Sequence, residues 1–178
     1  MLCLHQHQLL PNASFVELAA AFLTDPFEDI QWHVLLFLGY YNGTSIKSST
    51  LTPFLTSSFE LVRAAAYWTL AKLRPKALPA ASVYDELTSA QEFDRSRILL
   101  SAALYLLDSS PKSLGMQYLQ KFFLTEYWDS ETNNYRDTAI LGKYGPSAEI
   151  LAEILWRSGI KLVSSSVIDD LGLNWLLG

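Results

Sequence analysis

Residues 62–73 read VRAAAYWTLAKL, and three other stretches share their pattern: 30–41 (IQWHVLLFLGYY), 96–107 (SRILLSAALYLL) and 133–144 (NNYRDTAILGKY). The ninth place of each is leucine, as Leu38, Leu70, Leu104 and Leu141. Their starts lie 32, 34 and 37 residues apart. A single helix of this kind cannot bury its apolar face alone, so recurrence at such intervals predicts a stacked array of helical units that share a continuous core.

Working outward, turn and capping signals divide the chain into helices near 12–24, 27–41, 48–56, 58–73, 80–90, 93–108, 111–126, 131–144, 146–158 and 165–177. Apolar residues at helical spacing support this: Ile30, Val34, Phe37, Leu38 and Tyr41 share one face, as do Val62, Ala66, Thr69, Leu70 and Leu73. Ser14 to Glu17 and Ser57 to Glu60 read as capping boxes, and Asp25-Pro26 as a cap followed by proline at the first helical position. No alternating strand pattern is read. Without a linker or a shift in composition, residues 1–178 form one domain, all-α, of about five helical hairpins.

Composition narrows the function classes. Half of the residues are hydrophobic and 17% charged, which places the chain among ordered domains. A net charge of -5 with scattered cations opposes nucleic-acid binding, which needs clustered Lys and Arg. No apolar run reaches the length of about 18 residues needed to cross a membrane. Cys3 is the lone cysteine, and no export signal is read, so the expected location is the cytoplasm and the Asn12 and Asn42 glycosylation patterns are taken as chance matches.

Asp25-Pro26, Ile30, Leu38 and Gly39 in the first unit, Val62-Arg63-Ala64-Ala65-Ala66 and Leu70-Ala71 in the second, Arg97 and Leu104 in the third, and Leu141-Gly142 with Gly145 in the fourth resemble HEAT repeats. The resemblance spans about residues 13–158. It implies a right-handed α-α superhelix, or solenoid, and the role of a scaffold or adaptor rather than an enzyme. The chain departs from the pattern where Ser57, Gln91 and Trp128 replace the Asp before the second helix, and where Gln31 and Asn134 replace the Arg. Apolar packing is therefore expected to hold the stack in place of an Asp-Arg ladder.

The resemblance also implies that second helices line a concave side, with their third and seventh places facing outward from each hairpin. Those places hold Trp32, Leu36, Ala64, Trp68, Ile98, Ala102, Tyr135 and Ala139. An exposed aromatic row would suit a protein or peptide partner, because Trp and Tyr dominate binding hot spots; Trp32, Leu36, Trp68, Ile98 and Tyr135 are the candidate binding residues. The alternative is a bilin lyase or chaperone of the same repeat class, holding a tetrapyrrole in that groove. A DNA glycosylase of that class is disfavoured by the net charge.

Other candidates read as structural. Cys3, His5 and His7 supply too few ligands for an ordinary zinc site. His33 lacks a catalytic neighbour in sequence. Glu149 with Glu153 and the Asp169-Asp170 pair read as solvated charges. No metal or cofactor is expected, and the chain is read as non-catalytic. The apolar last helix, with Trp175 and Leu176, suggests a homodimer through the terminal helices.

Overall fold

The structure, a computed structural model, describes residues 13–41, 45–91, 95–110, 112–119, 128–129 and 134–135. Among the described residues the regular elements are helices and one pair of two-residue strands. Helix α1 (Ala13–Ala21) tightens into a 3-10 turn over Phe22–Thr24, and α2 (Glu28–Tyr40) follows. A short α3 (Ser48–Leu51) becomes a 3-10 turn at Thr52–Thr56, where Pro53 lacks the amide an α-helix would need. Then come α4 (Glu60–Leu73), α5 (Ala80–Ser89) and α6 (Arg95–Leu107), with residues 114–119 helical beyond them.

The sequence-predicted helices from 12 to 108 each have a counterpart; those expected to start at 48 and 80 do so, while others start later. Helix α2 begins at Glu28, not at Pro26, with Phe27 as its N-cap, and α4 begins at Glu60 with Phe59 as its N-cap. Neither phenylalanine makes a side-chain cap. Asp25 Oδ1 accepts the Phe27 N–H at 2.9 Å, and Ser57 Oγ accepts the Phe59 N–H at 3.2 Å. Both polar side chains thus close the turn before the helix, in the manner of Asx and Ser/Thr turns, rather than capping the helix itself. The Ser14 capping box rests on a side chain outside the described residues.

The expectation of a helix over 131–144 is corrected where the structure describes it. Trp128 pairs with Tyr135 and Asp129 with Asn134 as short antiparallel strands, β1 (Trp128–Asp129) and β2 (Asn134–Tyr135). The intervening sequence, Ser-Glu-Thr-Asn, lies in a polar stretch rich in residues whose side chains compete with helical hydrogen bonds. The helices expected at 146–158 and 165–177, and the dimer surface assigned to the latter, lie outside the described residues.

Helix α4 packs against α2 on one flank and α6 on the other, while α1 and α5 pack on α2 and α6. The three second helices run in the same direction. Glu60 Oε2, at the start of α4, accepts the Gln91 N–H just before α6, and the Arg95 guanidinium at the start of α6 lies 5.7 Å from the Trp32 ring in the first half of α2. At the opposite end, the Lys72 ammonium of α4 sits 5.6 Å from the Tyr40 ring of α2, and Arg74 Nη2 donates to the Ile46 carbonyl.

This arrangement explains the alanines. Successive helical residues point about 100° apart, so Ala64, Ala65 and Ala66 face three directions, and all are fully buried. Small side chains there let neighbouring helices approach on each flank. The ninth-place leucines Leu38, Leu70 and Leu104 are core residues, while Leu141 lies outside the described residues. Between α2 and α4 the packing is tight at Gly39, where an added Cβ would overlap the Trp68 ring at Cζ3. Gly115 has the same role near α6, since a Cβ there would overlap the Tyr105 amide nitrogen.

Gly39→Ala should lower unfolding stability by about 1–3 kcal/mol through overpacking. In a Trp68→Phe background the same change should cost markedly less, because the ring it strikes has been shortened. Urea unfolding of the two single variants and the double variant measures the difference; equal costs in both backgrounds would contradict the Gly39–Trp68 contact.

Candidate interaction surface

The exposed aromatic row expected along the second helices is not there. Trp32 is 2% exposed, Leu36 3%, Trp68 0% and Ile98 2%, with Ala64 and Ala102 also buried. These positions are corrected from docking residues to core residues. Of Tyr135 the structure describes only the backbone, paired in β2, and Ala139 lies outside the described residues.

The physical reason is the closeness of the three second helices. Arg95 of α6 reaches past α4 to the face of Trp32, whose Nε1 donates to Asp29 Oδ1 at 3.3 Å. Lys72 lies 5.3 Å from the Trp68 ring while Gly39 receives the edge of that ring. Cations thus cover the indoles where a ligand was expected. Trp68 Nε1 is buried with no hydrogen-bond partner, and so is Ser96 Oγ.

A second repeated feature lies at the second place of each unit. Gln31 Nε2 donates to the Asp25 carbonyl at 2.7 Å, Arg63 Nη1 to the Ser57 carbonyl at 2.8 Å, and Arg97 Nη2 to the Ala90 carbonyl at 3.1 Å. Each reaches back to the loop entering its own helix. Gln31, which replaces the Arg of the repeat pattern, performs this tie with an amide. Arg63 also pairs with Glu86 of α5 at 2.7 Å, tying the next hairpin to its own. Beside that pair, burial raises the Tyr67 hydroxyl above its ordinary pKa, and the Glu86 carboxylate adds to the shift against the opposing Arg63. Tyr67 accordingly stays a neutral phenol over a wider range of pH.

Two of the loops held by these ties present exposed aromatic side chains. Phe27 is 66% exposed and Phe59 45%, each three residues before its repeat block and each the N-cap of its helix. Phe93 stands in the equivalent place of the third unit, outside the described residues. This recurrence was available in the sequence at intervals of 32 and 34 residues, but blocks that begin at the first core residue omit it. Leu18 and Phe22, four residues apart on the first hairpin, are exposed as well.

The remaining candidates have less to place. His33 is exposed, with its ring against Trp32 and a ring nitrogen on the Asp29 carbonyl. Cys3, His5, His7, Glu149, Glu153, Asp169 and Asp170 lie outside the described residues. Among the described residues no helix is long and apolar enough to cross a membrane. In comparisons with known proteins the chain matches no family, no curated protein and no solved structure.

Arg63→Leu removes a charged hydrogen bond and a carbonyl tie at once, and should cost about 2–3 kcal/mol, whereas Gln31→Leu should cost about 1 kcal/mol. Chemical denaturation of both variants checks the order. Costs within about 0.5 kcal/mol of zero, the usual range for a surface change, would mean that these ties are incidental.

Proposed function

We propose that the chain is a non-catalytic interaction scaffold of the HEAT-repeat kind, a solenoid whose stacked helices present a surface to a partner protein or peptide. The observation that carries this reading is the pair Phe27 and Phe59, exposed at equivalent places in successive units. Aromatic side chains held at regular steps make efficient anchors, because covering each contributes on the order of 1.5–3 kcal/mol and few rotamers are lost in doing so.

The supporting structure favours recognition by a preformed edge. Asp25 and Ser57 fix the backbone at the two phenylalanines, and Gln31 and Arg63 fix the same loops from inside the helices. Glu60 and Gln91 set the N-terminal end of α4 beside the entry to α6, and Arg95 brings that of α2 to the same end. A partner laid across this end of the stack meets one unit after another. The tetrapyrrole reading asked for an open groove lined by Trp32 and Trp68, and their burial leaves it without a supporting observation.

The test is affinity capture with a Phe27→Ser, Phe59→Ser double variant beside the unaltered protein. Both residues are exposed, so circular dichroism should show unchanged helix content, and proteins retained by the unaltered chain should be lost from the variant. An identical retained set in both would remove this edge as the recognition surface.

A further inference from the structure

Charge is distributed unevenly over the exposed apolar residues. The first 46 residues contain no Lys or Arg, while Glu17, Asp25, Glu28 and Asp29 all fall among them. Glu17, Glu28 and Asp29 are exposed, on the same hairpin as exposed Leu18, Phe22 and Phe27. Leu18 and Phe22 lie one helical turn apart on one face. The corner that joins them to Phe27 is closed by the Asp25 N–H on the Phe22 carbonyl at 3.1 Å, by the Phe27 N–H on Asp25 Oδ1, and by Gln31 on the Asp25 carbonyl.

We infer that the flank of this first hairpin docks a basic amphipathic helix of a partner protein, with apolar residues for Leu18, Phe22 and Phe27 and Lys or Arg for Glu17 and Glu28. The inference rests on the interaction-scaffold reading and supplies its partner chemistry. Charge complementarity selects the occupant. Carboxylates beside an apolar patch attract cationic side chains, and a guanidinium also stacks on a phenylalanine face. A second copy is disfavoured, because two-fold pairing of the flank would set Glu17 and Glu28 against the same carboxylates. Anionic lipid and nucleic acid are repelled for the same reason.

Two labelled helical peptides of about 18 residues, five turns, provide the probes. They share apolar positions and differ in carrying Lys or Glu on the polar face. In fluorescence anisotropy with the full chain, the Lys peptide should bind and weaken with added salt, and the Glu peptide should not bind. Glu17→Lys with Glu28→Lys, or Leu18→Ser with Phe22→Ser, should weaken the Lys peptide about tenfold or more. Asp85→Lys with Asp108→Lys makes the same charge change away from this hairpin and should leave affinity unaltered. Equal binding of the two peptides, or equal loss in the control variant, overturns the proposal. A dimer in sedimentation that Leu18→Ser with Phe22→Ser dissociates also overturns it, in favour of a second copy. If the peptides fail while capture still depends on Phe27 and Phe59, the partner chemistry falls and the scaffold reading stands. If capture ignores those phenylalanines, the scaffold reading at that edge falls first.

Discussion

The close approach of α2 and α6 to the two flanks of α4 is the constraint from which the rest of the structure follows. It requires Ala64, Ala65 and Ala66 to be small and Gly39 to have no side chain where the Trp68 ring arrives. Close packing then gives the central helices almost no polar face. Thr69 illustrates the consequence: its hydroxyl is fully buried between helices and donates to the Leu35 carbonyl at 2.8 Å, so that the polar atom is satisfied by a neighbouring backbone.

Much of the fold was legible because the repeated leucines and helical spacing report local periodicity, which survives whatever the helices pack against. Leu38, Leu70 and Leu104 fall in the core as their recurrence implies. What spacing does not report is how many flanks of a helix are covered. The run Val34-Leu35-Leu36-Phe37-Leu38 is apolar on every side, and a helix apolar all round is one buried all round. Reading Trp32, Leu36, Trp68 and Ile98 as an open row required one flank to be free, and neighbouring helices cover it. At Asn134 and Tyr135 the helix reading gives way to a strand for a local reason, since polar residues with turn preferences precede them in the sequence.

The edge that emerges instead was partly visible. Phe27 and Phe59 recur as regularly as the leucines, yet a phenylalanine before a helix looks like another core residue until the turn geometry is known. Asp25 and Ser57 bind the amides of those phenylalanines and so hold each aromatic side chain at the mouth of its helix. The replacement of Arg by Gln31 had suggested a broken polar ladder. Its amide reaches the same carbonyl position as Arg63, because the tie requires a donor of sufficient length and not a charge.

Arg95 gives the stack a property that an open array lacks. Where each unit touches only its neighbours, the ends can melt while the middle persists, and stability grows unit by unit. Here the start of the third unit is in contact with the first across the second, through Arg95 and Trp32. Peeling α6 away would uncover an indole on α2, so damage at one helix is felt two helices off. Unfolding of α6 therefore weakens the cover of α2 as well as that of α4.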